Sequence, residues 1–157
     1  MITIEKAQQT DEPTLHNIMQ FYIYEFSQYI PAIKLEENGT YKPFDLSTYW
    51  TSHCHHAFLF KLEDELIGFA MVESMHDDEP NTILEFFILR KFSGKGYGRI
   101  AAVELFKRFP GKWHITQIEK NHPAQAFWRS TISKYTSGNY SERYDEKRRS
   151  IQEFITP

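Results

Sequence analysis

The sequence predicts an α/β fold, a mixed central sheet of about seven strands flanked by about four helices, on two observations. Hydrophobic periodicity switches along the chain, from strand-like runs at residues 57–62, 65–74 and 82–89 to helical spacing at 98–109. At the switch stands a glycine-rich turn, residues 94–98, so that strand, turn and helix follow one another directly.

Each element has its own signal. Residues 1–6 alternate apolar and polar side chains, as a strand does. Thr10, Asp11 and Pro13 mark a helix start, since Thr or Asp can cap free amides and proline tolerates the first turn. Leu15, Ile18, Met19, Tyr22 and Phe26 then recur at helical spacing, a core-facing stripe that runs to about residue 27. Pro31, Asn38, Gly39 and Pro43 break residues 29–49 into an irregular loop suited to lining a cleft, with a short helix near 45–50. The three strand-like runs, joined by Glu63 and Asp64 and by the polar segment 76–81, form an antiparallel meander. In the next helix Ala102, Leu105, Phe106 and Phe109 share a face, and Pro110 and Gly111 stop it. A strand at 113–118, a helix at 123–134 and two closing strands at 135–140 and 149–155 complete the order, with 142–149 as a charged, solvated connection.

The 157 residues suit one domain, 1–157, and 41% hydrophobic residues supply a core without disulfides or a structural metal. No apolar run is long enough to cross a bilayer, so no membrane partner is expected. A formal charge of -3 offers no general footprint for nucleic acid. The first residues lack the basic stretch and apolar core of a secretion signal, and the single cysteine, Cys54, cannot form an internal disulfide; both point to the cytoplasm. His53, Cys54, His55 and His56 do not read as a metal site, because neighbours in a strand point to opposite faces.

The glycine turn carries the chemistry. Glycines at 94, 96 and 98 let the backbone adopt positive φ and approach a ligand closely, while the unpaired amides and dipole at a helix start attract negative charge. Arg90, Lys91, Lys95 and Arg99 add positive charge with no acid among them. The glycine spacing fits neither the nucleoside triphosphate loop nor the dinucleotide fingerprint.

Ser93, Gly94, Lys95, Gly96, Tyr97 and Gly98 resemble the R/Q-x-x-G-x-G/A signature of the GNAT superfamily, which cradles the pyrophosphate of coenzyme A; Ser93 departs from it where the family has Arg or Gln. One helix and one strand later, Asn121 and Ala124 match the family's N-x-x-A-x-x-x-Y stretch, and Trp128 stands in place of its tyrosine. The resemblance implies the GNAT fold, with a splay between the fourth and fifth strands. It also implies acetyl-coenzyme A as co-substrate, no metal, and a primary amine, expected to be that of a small molecule, as acceptor. The expected cofactor contacts are Ile88, Leu89, Arg90, Ser93, Gly94, Lys95, Gly96, Tyr97, Gly98, Arg99, Asn121, Ala124, Phe127 and Trp128.

By the same resemblance Ile88, Leu89 and Arg90 pair with pantetheine as an added strand would, and the Ile88 amide faces the thioester oxygen. An alkyl ammonium, of pKa about 10.4, must lose a proton before it attacks, and Glu85 is the candidate base. Alternation puts Glu85 on the face of Phe87 and opposite Ile88. Indole N–H is too weak an acid to protonate the leaving thiolate, so Trp128 is read as a packing or cofactor contact, and either water or Tyr135 takes that role or catalysis is slow. Tyr22, Glu25, Tyr29 and Trp50 are expected near the acceptor pocket. Monomer and homodimer remain open. The two departures, Ser93 and Trp128, support the alternative of a non-catalytic acyl-coenzyme A binding module, and a protein amine is a further alternative acceptor.

Overall fold

The computed structural model describes residues 1–157. Its strands are β1 (Ile2–Lys6), β2 (His55–Leu62), β3 (Glu65–Glu73), β4 (Asn81–Ile88), β5 (Lys112–Gln117), β6 (Ser141–Tyr144) and β7 (Ser150–Ile155). Its α-helices are α1 (Glu12–Ser27), α2 (Ser47–Thr51), α3 (Tyr97–Arg108) and α4 (His122–Thr136), with 3-10 turns at Gln9–Asp11 and Arg90–Phe92. The strands form one seven-stranded sheet in the order β1-β2-β3-β4-β5-β7-β6, antiparallel throughout except between β4 and β5.

Helices cover both faces. Phe58, Phe60, Ala70, Val72 and Ile83 pack with Leu105 and Phe106 of α3 and Trp128 and Ile132 of α4 in one core. Ala57, Leu59, Phe69 and Met71 pack with Leu15, Ile18 and Met19 of α1 in the other. The apolar stripe expected on α1 is therefore the face that docks on the sheet, with Ile23 buried besides.

The β4–β5 pairing is short. Only Asn81 with Trp113 and Thr82 with His114 are in register, after which the two strands part. Asn81, 2% exposed, holds the closed end. Its Nδ2 donates to the Phe109 carbonyl at 3.0 Å and to the Lys112 carbonyl at 3.2 Å, while its Oδ1 accepts from the Met75 amide at 2.8 Å. A bulge lies just beyond: Met71 pairs with Glu85 and Val72 with Ile83, so Leu84 is an extra residue on β4.

The C-terminal part differs from the sequence expectation. Residues 135 and 136 belong to α4, which ends where Ser137 (φ 52°) turns left-handed, and the Gly138 amide bonds back to the Ser133 carbonyl at 2.8 Å. The sixth strand accordingly starts at Ser141, inside what reads as a charged connection. Glu142 and Arg143 are strand residues whose charges are matched by Arg129 and Glu153.

Asn81→Ala would leave the Met75 amide without its acceptor and strip a donor from two carbonyls. We expect a loss of about 2–3 kcal/mol in urea unfolding. A loss below about 0.5 kcal/mol, the range of an ordinary surface change, would mean that Asn81 does not hold this end of the gap.

Candidate functional site

The turn between β4 and α3 is built to receive an anion. Gly94 and Gly96 take φ of 75° and 87°, a left-handed conformation that favours glycine. Gly96 is the N-cap of α3, and no side chain caps the helix. The first amide to bond inside it is that of Ile100, which donates to the Gly96 carbonyl at 3.2 Å. The amides of the residues between are thus free at the positive end of the helix dipole. Gly98 serves another purpose: a Cβ there would lie 3.0 Å from the Phe127 ring, so its absence lets α3 approach α4.

Of the four cations around this turn, two are engaged. Arg90 donates to the Glu25 carboxylate of α1 at 2.5 and 2.7 Å, and Lys91 lies 3.7 Å from Glu65. Lys95 and Arg99 are exposed and left without an ion-pair partner. Ser93 turns its hydroxyl inward to the Arg90 carbonyl at 2.7 Å, so it closes the 3-10 turn instead of reaching outward as a long polar side chain would. Tyr97 packs its ring against Phe92.

From this turn a groove of about 250 Å³ runs past Arg90, Ser93 and Ile88 to Asn121. The Leu89 amide donates to the Ile67 carbonyl of β3 at 2.8 Å, so by strand alternation the Ile88 amide points the other way, into the gap beside β4. Asn121 stands across that gap and caps α4, its Oδ1 accepting from the Ala124 amide at 3.2 Å. Phe127 and Trp128 follow on α4, each with its ring 4.9 Å from the other, and Trp128 also lies 4.9 Å from Phe86 of β4.

The groove opens into a larger cleft of about 880 Å³, with Tyr22, Phe26, Phe86 and Asn121 common to both. Glu85 is on its wall, on the α1 face of the sheet, together with Phe87 and opposite Ile88, as alternation predicts for these three. The Leu84 bulge makes this possible, since unbroken alternation would turn Glu85 to the same side as Ile83. The Tyr22 hydroxyl donates to the Glu85 carboxylate. Burial pushes the Glu85 carboxyl above its ordinary range, against the smaller lowering effect of that hydrogen bond. Burial, and then the Glu85 charge, raise the Tyr22 phenol well above its ordinary value and the Tyr49 phenol to about 12.

Not every expected residue arrives here. Tyr135 packs against Phe106 and Phe154 behind the sheet and lines neither cavity, because α4 continues through it. Trp50 donates its indole N–H to Glu12 at 2.6 Å, away from both cavities, whereas Tyr22, Glu25 and Tyr29 do line the groove. The irregular loop 29–49, expected to line a cleft, forms one wall of it, through side chains that its sequence did not single out. Ile30, Ile33, Leu35, Tyr41 and Phe44 line it, and the loop is tied to α1 where Gln20 donates to the Tyr41 carbonyl at 2.9 Å and accepts from its amide at 2.8 Å. Apolar residues at breaker-rich positions were the available signal.

Residues 18–131 match the Acetyltransferase (GNAT) family. The chain belongs to the GNAT family. Solved GNAT-type structures share its fold over nearly the whole length. An acetyltransferase from Thermus thermophilus is 19% identical with a TM-score of 0.71, over 98% of this chain and 95% of that one. A PaiA N-acetyltransferase from Thermoplasma acidophilum, in complex with coenzyme A, is 13% identical with a TM-score of 0.65, over 99% of each chain. The ribosomal-protein-S18-alanine N-acetyltransferase from Escherichia coli is 16% identical with a TM-score of 0.63, over 99% of this chain and 94% of that one. No curated protein matches the sequence. Family membership indicates an acyltransferase. No helix of this GNAT protein is long and apolar enough to cross a membrane.

A raised carboxyl pKa in the folded state has a signed effect. The protonated form of Glu85 stabilises the fold below the ordinary carboxylate range, and that contribution is lost as pH rises through the raised value. Glu85→Gln should therefore melt above the parent at about pH 8, with the difference shrinking toward about pH 4 in paired thermal scans. A difference that grows on acidification would show instead that the fold favours the carboxylate.

Proposed function

We propose that this GNAT protein is an N-acetyltransferase that moves an acetyl group from acetyl-coenzyme A to the primary amine of a small molecule, by direct attack in a ternary complex. The observation that carries the reading is the position of Glu85, a carboxylate of raised pKa on the cleft wall, three residues before an amide that points into the adjoining groove. Acetyl-coenzyme A supplies, when bound, an activated acetyl thioester whose carbon–sulfur bond gives way to the new amide bond. The free amides of the glycine turn, with Lys95 and Arg99, would hold its phosphates. Leu89, Arg90, Asn121, Ala124, Phe127 and Trp128 would flank its pantetheine arm along the groove.

The Ile88 amide offers a preorganised donor to the carbonyl oxygen on which negative charge develops. Glu85 accepts the ammonium proton, and its raised pKa makes it a better base than an exposed carboxylate. The Tyr22 hydroxyl fixes the carboxylate's orientation. With Tyr135 packed behind the sheet, water is the proton source for the leaving thiolate. Cys54, a free buried thiol, supports a cytoplasmic setting.

Two measurements test the reading. Arg99→Glu should raise the acetyl-coenzyme A Kd about tenfold in calorimetric titration, more at low salt than at high. An unchanged Kd would put the phosphates elsewhere. Glu85→Gln should lower kcat/KM for an amine panel about 10²-fold near neutral pH, with the gap narrowing as pH nears the amine's own pKa, where no base is needed. Acetyl-coenzyme A bound without turnover across the panel would favour the acyl-coenzyme A binding module.

A further inference from the structure

The cleft that meets Glu85 also says what kind of amine fits it, provided that the acetyl-transfer reading above holds. Its walls are apolar and partly aromatic: Phe26 from α1, Ile33, Tyr41 and Phe44 from the loop, Ile115 from β5 and Trp128 from α4. Its volume of about 880 Å³, which also takes in Asn121, Ala124 and Trp128 beside the cofactor's arm, leaves room for a ligand with a sizeable body, since pockets for drug-sized molecules run from about 300 to 1,000 Å³.

Charge is distributed unevenly over these walls. Glu85 is the carboxylate on the sheet side, next to the reacting position. The other carboxylate of the lining, Glu36, lies on the exposed loop between two lysines of the same wall, Lys34 and Lys42. Neither lysine engages a carboxylate, whereas Arg149, the remaining charged residue of the lining, holds Asp145 at 2.7 Å. A ligand with one ammonium would place it at Glu85 and lay an uncharged body along the rings and isoleucines. A ligand with further ammonium groups would bring them to Lys34 and Lys42, where like charges oppose binding.

We propose that the acceptor is a primary monoamine carried on an apolar, ring-bearing body, and that polyamines are discriminated against by Lys34 and Lys42. The aromatic walls would take the ring by edge and offset contacts, and Glu85 would take the ammonium. The Gln20 tie to Tyr41 keeps the loop wall in place for this.

The test compares 2-phenylethylamine with spermidine, in two readouts. The first is calorimetric binding of each amine to coenzyme A-saturated protein, and the second is acetyl transfer from acetyl-coenzyme A. The aryl amine should bind tighter and turn over with a kcat/KM at least about tenfold higher. Lys34→Glu combined with Lys42→Glu, both exposed positions, should narrow the gap by raising spermidine binding several-fold with the acetyl-coenzyme A Kd unchanged. Preferential binding and acetylation of spermidine by the parent would overturn the acceptor class and leave acetyl transfer standing. Preferential binding of the aryl amine with no transfer to either would leave the acceptor class standing and overturn acetyl transfer. Equal binding of both amines, unmoved by the charge reversal, would overturn the role given to the lysines and the class with it.

Discussion

The parting of β4 from β5 is the constraint on which the rest of the site depends. Two parallel neighbours in a sheet normally bond along their shared length, and here they do so at only two positions before separating. Backbone groups along the gap then lack strand partners, a state that a buried chain tolerates only where another group or solvent can satisfy them. The gap is kept open by bulk. Phe86, Phe127 and Trp128 meet ring to ring beneath it, and Asn121 stands at its edge as the cap of α4. At the other end the side-chain amide of Asn81 ties β4 to the carbonyls of Phe109 and Lys112, where β5 begins. An extended ligand arm is the natural occupant of such a space, because it can bond as the missing strand would.

The far side of the gap is braced by polar groups instead of apolar ones. Gln117 of β5 and Gln152 of β7 exchange amide hydrogen bonds of 2.7 and 2.9 Å, both side chains being buried. Gln152 also donates to Glu142 at 2.9 Å, and Arg129 of α4 grips the same carboxylate with contacts of 2.6 to 3.0 Å. The chain of bonds links three strands to the helix that carries Ala124 and Trp128. Because each member is satisfied by its neighbours, its directionality fixes β5 against β7 where apolar packing alone would allow slippage.

Much of this could be read from residues whose role is local. Gly94 and Gly96 mark a turn because few other residues take their φ, and Asn121 marks a helix start because its side chain bonds three residues on. Features that depend on distant partners were out of reach. Nothing in the run from Ile83 to Ile88 shows that Leu84 is extra, since a bulge is a mismatch with β3 and exists only once the strands are paired. The Tyr22–Glu85 contact joins residues 63 apart, so the α1 stripe reads as plain core from its spacing. Glu142 and Arg143 look like a solvated turn, but β6 is the last strand of the sheet, and charges are what protect such an edge from unwanted pairing.

The bulge at Leu84 also has a hereditary consequence. Side-chain direction in a strand is counted residue by residue, but a bulge absorbs one extra residue without turning those beyond it. Loss of the one codon for Leu84 would leave Ile83 opposite Val72 and Glu85 opposite Met71 as direct neighbours in regular alternation, so the carboxylate would stay on the α1 face. A lineage carrying this scaffold can therefore lose or regain the extra residue by a single in-frame deletion or insertion while Glu85 is still delivered to the cleft.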